Sequence, residues 1–216
     1  MAFGNTNLSP ELTTIKLIFQ THSPYARKIL VAAHELSLID GIELIEHAAN
    51  SLPCNTRFIA DPFGKCPVLI CDDGLILFES VVICEYLDEL HAGTSLIPSA
   101  DPHRWLALRL QAIAQGIADA GIALRWETEQ HPPEGRRGAT RDDQVEQLID
   151  WYIFLENEVD LSGRVNIGQI ALATALSWIE FHQLSSFREG RPKLTHWFDA
   201  FVQRPSMQAT GYRRES

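Results

Sequence analysis

Strand patterning in this chain of 216 residues stops before residue 79, and from Pro102 onward apolar residues recur at helical spacing only. A chain so divided folds as a small α/β unit followed by an all-helical one. The join falls in the loop-like stretch Ala92 to Pro102, where Gly93, Pro98 and Pro102 interrupt any regular element. The expected domains are therefore residues 1–92 and 101–216. Within the first, Thr14 to Gln20 is a β-branched apolar run that leads through Ser23-Pro24 into a helical pattern of Ile29, Leu30, Ala33 and Leu36. Ile42 to Ile45 is a second strand. Pro67 to Cys71 and Leu75 to Phe78, joined by Asp72-Asp73-Gly74, make a hairpin, and Ser80 to Leu90 carries a helical stripe. The order is βαβ, an irregular or helical link containing Pro53 and Pro62, then ββα. In the second domain the periodicity predicts helices over His103 to Glu129, Arg141 to Asp160, Ile167 to His182 and Pro192 to Gln203, with a loop at Pro132-Pro133-Glu134-Gly135.

Two helix starts can be read in detail. Asn166 is a good N-cap, Gln169 stands where a capping box needs it, and Val165 and Ile170 occupy hydrophobic-staple positions. Ser23 precedes Pro24, and proline favours the first helical position, so Ser23 caps the first helix at the end of the first strand. Capping leaves chemistry to spare. A hydroxyl has one donor and two acceptor positions, so it can accept from helix backbone and donate to a thiolate, which would also meet the positive helix end.

Composition narrows the partners. The formal charge is −10, which disfavours nucleic acid, and an anionic ligand must find a local cation or helix N-terminus. No apolar run is long enough for a membrane span and the N-terminus carries no export pattern, so the expected location is the cytoplasm. The four cysteines, Cys54, Cys66, Cys71 and Cys84, form no CxxC pair and the eight histidines no metal-ligand spacing, so neither disulfides nor a metal is expected. Pro67, after Gly64-Lys65-Cys66, opens a strand, where a trans bond is the default and a special turn with a cis bond the alternative. Glu79-Ser80 precede a helix and read either as a cap or as a ligand site, with Ser80 and free backbone N–H groups taking a carboxylate and Glu79 an ammonium.

Three segments occur in an order and spacing that resemble bacterial cytosolic glutathione S-transferases of the serine type: Ser23-Pro24-Tyr25-Ala26-Arg27-Lys28, Asp61-Pro62-Phe63-Gly64-Lys65-Cys66-Pro67-Val68-Leu69, and Phe78-Glu79-Ser80-Val81-Val82-Ile83-Cys84-Glu85-Tyr86-Leu87. The likeness extends through Arg125 to Glu134, Asn166 to Leu176 and Arg204-Pro205-Ser206. It departs in Asp61, where asparagine is usual, and in the Asn166-Ile167-Gly168-Gln169 form of the helical-domain cap. The resemblance implies a thioredoxin-like βαβ(α)ββα domain before a C-terminal helical bundle, with glutathione as co-substrate and a homodimer as the working unit. It implies that Pro67 is the cis-proline beside which the Cys66 backbone pairs with the cysteinyl part of glutathione. Glu79 and Ser80 would hold the γ-glutamyl group, and Lys65 would face the glycine carboxylate. Ser23 would stabilise the thiolate, with Thr21 as a rival hydroxyl and His22 a bystander. The thiol of Cys66 reads as a small apolar residue contributing its backbone. Trp105, Arg109, Ile113 and Trp126 are candidates for the electrophile pocket, although their spacing is equally that of a packed core. The implied activity is transfer of an electrophilic, mostly apolar co-substrate to glutathione. The alternatives are a non-catalytic interaction module of the same fold and a glutathione-dependent isomerase, dehalogenase or reductase.

Overall fold

The computed structural model describes residues 15–47, 66–100, 102–130 and 138–213. Strand β1 is Ile15–Phe19, followed by helix α1, Pro24–Glu35, a 3₁₀ turn at Ile39–Gly41 and strand β2, Ile42–Glu46. Strands β3, Val68–Ile70, and β4, Ile76–Phe78, lead into helix α2, Ser80–Leu90. The helical half contains α3, His103–Gln130; α4, Gly138–Glu158; α5, Ile167–Phe181; α6, Pro192–Phe201; and α7, Pro205–Ala209. Regular elements thus fall within a residue or three of the sequence expectation. The short α7, opened by Pro205, has too few residues to show a period. The loop expected at Pro132 to Gly135 lies outside the described residues.

The sheet runs β2-β1-β3-β4. Strand β1 pairs in parallel with β2, Leu17 opposite Leu44, and antiparallel with β3, Ile18 opposite Val68. Strand β4 closes the edge antiparallel, with Phe78 opposite Val68. This register brings the C-terminal ends of β1 and β4 and the N-terminal end of β3 to one edge of the sheet. The residues that follow or precede those ends are Ser23, Glu79-Ser80 and Cys66-Pro67.

One apolar core joins Leu17, Ile29, Leu69, Ile83 and Leu87 of the first half to Ile167, Ile170 and Met207 of the second. The crossing segment is pinned by Asp88, whose carboxylate accepts from the backbone N–H of Leu96 at 2.6 Å and of Ile97 at 3.1 Å. Buried Arg27 stitches α1 to the helical half: Nη1 donates to Ser177 Oγ at 2.5 Å and Nη2 to the Met207 carbonyl at 3.1 Å. The helix at Ile167 begins as its sequence predicts. Asn166 Oδ1 accepts from Gly168 and Gln169, and Gln169 Oε1 accepts from the Asn166 N–H, a complete capping box.

Helices α3 and α5 lie side by side in the same direction. A Cβ on Gly168 would meet the Ala107 carbonyl oxygen at 2.4 Å, and one on Gly121 would meet Ile179 and Trp178. The two helices therefore approach at glycines, low on the pair at 107 and 168 and high at 121 and 178.

Candidate functional site

Ser23 takes extended backbone angles as the N-cap of α1, and its Oγ accepts from the Ala26 N–H at 3.2 Å. That bond uses one acceptor position and leaves the hydroxyl proton for another partner. Ser23 is half-buried, whereas Thr21 stands exposed in the preceding turn. The turn is fastened from the helical half, where Trp178 Nε1 donates to the His22 carbonyl at 2.8 Å.

The Cys66–Pro67 bond is cis, as the resemblance implied and against the default for the residues alone. Cys66 is half-buried and Pro67 buried, beside the end of β1. Lys65 lies outside the described residues.

Glu79 caps α2 with φ 68° and ψ 120°, a region that costs a non-glycine residue of order 1–3 kcal/mol. The chain turns there sharply enough to leave the Glu79 side chain exposed while Ser80 is only 2% exposed. The Ser80 Oγ is buried without a hydrogen-bond partner. The first backbone bond of the helix runs from Ile83 N–H to the Glu79 carbonyl, so the N–H groups before it belong to the unsatisfied first turn. A strained carboxylate-bearing cap, an unpartnered hydroxyl and a positive helix end together suit a zwitterionic amino-acid group.

Behind this edge sit two residues that sequence reasoning passed over. Tyr25 donates its hydroxyl to the Asp119 carboxylate of α3. Burial first, then that hydrogen bond and the charges of Asp119 and Glu79, push the Tyr25 phenol well above its ordinary range. Lys28, one turn further along α1, is 3% exposed and its Nζ has no hydrogen-bond partner. Burial pulls its pKa down, opposed by the Cys84 thiol and the carboxylates of Glu79 and Asp119. Glu79 and Asp119, from different domains, thus act on the same Tyr25–Lys28 pair. No sequence signal marks this, because Tyr25 and Asp119 are 94 positions apart.

Beyond Ser23 lie the far ends of α3 and α5. The His22 ring lies 6.0 Å from Phe181, and Phe181 meets His182 edge-on at 5.0 Å. Arg125 Nη1 lies 3.3 Å from His182 Nε2, and its Nε donates to Glu129 at 2.6 Å. Burial, with the neighbouring guanidinium next in weight, lowers the His182 pKa to about 4. Trp126 follows on α3 with 58% of its surface exposed.

Of the pocket candidates, only Trp126 stands at this end. Ile113 and Arg109 line a separate groove of about 680 Å³ with Val159 and Asn166, at the opposite end of α3, and Trp105 is 62% exposed beyond it. Cys71 and Cys84 are buried thiols, Cys84 raised to about 11 by burial. Among the described residues no three His, Cys, Asp or Glu side chains are grouped to hold a metal, and no helix is long and apolar enough to cross a membrane.

A thioredoxin-like mixed sheet with a helical domain behind it, and a sheet edge that carries a capping serine, a cis-proline and a Glu-Ser helix start, define the glutathione transferase class of fold. Residues 22–90 match the glutathione S-transferase N-terminal domain family. A glutathione transferase family member from Pseudomonas fluorescens Pf-5, solved with bound glutathione, is 33% identical, with 93% of this chain and 100% of that one covered and a TM-score of 0.87. The uncharacterized GST-like protein YibF of Escherichia coli (strain K12) is 28% identical over 206 residues, 91% of this chain and 98% of that protein. Glutathione S-transferase omega-1 of Sus scrofa is 44% identical over 165 residues, 70% of this chain and 63% of that protein. The chain belongs to the glutathione transferase family.

Proposed function

We propose that this protein is a glutathione transferase of the serine type, in which Ser23 stabilises the glutathione thiolate for attack on an electrophilic carbon. The observation that carries this reading is the meeting, at one sheet edge, of the Ser23 hydroxyl, the cis Cys66–Pro67 bond and the Glu79-Ser80 helix start with its unpartnered Oγ. Glutathione bound in similar folds, as in the Pseudomonas fluorescens protein, supports the same ligand here. The γ-glutamyl carboxylate takes the Ser80 hydroxyl and the first-turn N–H groups of α2, and its ammonium faces Glu79. The cysteinyl backbone pairs with Cys66 before Pro67, and Lys65 meets the glycine carboxylate. The thiol then lies over the start of α1, where the Ser23 proton and the positive helix end favour the thiolate. The thiolate forms the new C–S bond, and the leaving group departs with its electron pair or, in an addition, the adjacent carbon takes up a proton.

Residues 1–92 serve the glutathione half and 101–216 the electrophile half. The thiols of Cys71 and Cys84, in no disulfide, suit the reducing cytoplasm. The protein works as a homodimer: Val82 and Leu90 of α2 and Trp105 and Leu106 of α3 are 45–62% exposed, and an Arg104–Glu85 ion pair at 3.4 Å holds the two helices side by side. So much apolar surface on one face suits a second copy.

Calorimetric titration with reduced glutathione, followed by conjugation of a generic aryl halide, tests the reading. Binding with turnover is the expected result. Binding without turnover would move the assignment to a glutathione-dependent isomerase, dehalogenase or reductase, and absence of binding to an interaction module.

A further inference from the structure

The side chains beyond Ser23, on the far ends of α3 and α5, have a definite chemical character. The α3 side is placed by the Tyr25–Asp119 bond, which sets Asp119 against the first turn of α1. Ile122 and Trp126 continue that stripe, and Trp126, seven residues on, stands about 10 Å further along the axis. The α5 side is placed by the Trp178–His22 bond and the packing of Phe181 on His22. Of the cations near these two sides, Arg27 and Lys28 are buried, whereas Arg125 is only half-buried and bridges α3 to His182 of α5. His182 is neutral at physiological pH, so it adds no second positive charge.

Arg125 meets one carboxylate already. Glu129 sits on its Nε at 2.6 Å, with side chains 34% and 57% exposed. Exposed ion pairs of this kind contribute little to stability, so a carboxylate arriving from solvent can take the place of Glu129 without disturbing the fold. Glu129 therefore marks where such a group would sit. The exposed Trp126 indole, next to Arg125 in α3, and the half-buried Phe181 ring, packed on His182 in α5, offer faces for a planar ring.

The geometry points to Arg125 as a specificity-determining residue that selects aromatic electrophiles bearing a carboxylate, with the ring against Trp126 and Phe181 and the carboxylate exchanging with Glu129. This rests on the transferase reading and deepens it. The carboxylate end is anchored at Arg125 and the electrophilic carbon is turned back toward the thiolate at Ser23. The protein as a whole carries a charge of −10 and repels anions at long range, so the preference is local to this guanidinium.

The test compares a fluoronitrobenzoate with the matching fluoronitrobenzamide, which differ in charge and little in shape. The thiolate attacks the fluorine-bearing carbon of either, and fluoride leaves with the bonding pair. Each kcat/KM is divided by the uncatalysed rate with glutathione, which removes the difference in intrinsic reactivity. The expected preference for the benzoate is about tenfold, the size of one charge-assisted hydrogen bond. Arg125→Gln collapses that ratio to near unity, and Glu129→Gln, which removes the competing carboxylate, enlarges it. A ratio near unity in the parent protein, or a preference that survives Arg125→Gln, overturns the inference and leaves the transferase reading standing. Glutathione binding without turnover of either compound also overturns it. Failure of glutathione to bind, read by titration in the same samples, removes both.

Discussion

Tyr25 and Asp119 share a hydrogen bond that ties the first turn of α1 to the middle of α3, two residues beyond the proposed thiolate-stabilising Ser23. The bond joins the sheet domain to the helical domain at the start of α1. Because the half-buried Tyr25 hydroxyl serves as donor, its loss should be felt both in stability and in the placing of the helix start. Tyr25→Phe is expected to cost about 1 kcal/mol in chemical denaturation, and Asp119→Asn less, since the amide oxygen still accepts. A Tyr25→Phe protein as stable as its parent would mean that the bond adds nothing in solution.

The roles at the glutathione edge separate in measurement. Ser23→Ala should leave glutathione affinity nearly intact and raise the pKa of the bound thiol by about one unit or two, read from thiolate absorbance against pH. Glu79→Ala and Ser80→Ala should weaken binding itself. Should Thr21→Val raise the thiol pKa while Ser23→Ala does not, the activating hydroxyl is Thr21, despite its exposed position in the turn.

His182 gives a pH signature. Its folded pKa, about 4, lies below the ordinary value of 6.5, chiefly through burial and then the Arg125 charge, with Glu129 opposing and His22 adding to the depression. A histidine whose folded pKa is depressed binds its proton more readily when unfolded. Its contribution is present above pH 6.5 and is lost as pH falls from there toward 4. Replacing His182 by Gln should flatten the stability profile across that window. In the parent protein the ring resonance of His182 should hold still above about pH 5, and a midpoint near the ordinary value would contradict the burial described.

Gly168 tests the α3–α5 approach. In an isolated helix alanine is favoured over glycine by about 1 kcal/mol. Here the added Cβ falls 2.4 Å from the Ala107 carbonyl oxygen and 2.8 Å from Leu110 Cβ, and backbone does not give way as a flexible side chain would. Overpacking costs about 1–3 kcal/mol, so the collision wins and Gly168→Ala should lower the thermal midpoint. A rise would show that the two helices part easily.

The elements legible from the chain alone are those whose signals are local. Asn166 and Gln169 start α5 from within four residues, and Ser23-Pro24 start α1 in the same way. The Glu79-Ser80 and Cys66-Pro67 candidates were visible because residue types and spacing carried a family likeness. The positive φ of Glu79 was not, since it arises where β4 must turn into α2.

What lies between domains left no local trace. Lys28 belongs to α1 like its neighbours, and it is buried because α5 presents Ala171, Thr174 and Ala175 to it across a cleft too small for larger side chains. Arg125 and Trp126 adjoin in the chain, yet only Trp126 was singled out, because the partner that gives Arg125 its place is His182, 57 residues away.

By itself the sequence determined the order of strands and helices and the caps that start them, set by short-range periodicity, capping and turn residues, while the residues where glutathione chemistry is expected came from the family likeness. Only the tertiary structure decided that Asp119 meets Tyr25, that Lys28 is sealed between domains and that Arg125 meets His182 at the far end of α3 while Arg109 lines a groove at the other end. Those pairings depend on how α3 lies along α5. That is settled by close approach at Gly168 and Gly121 and by burial of a shared core, which act between residues far apart in the chain.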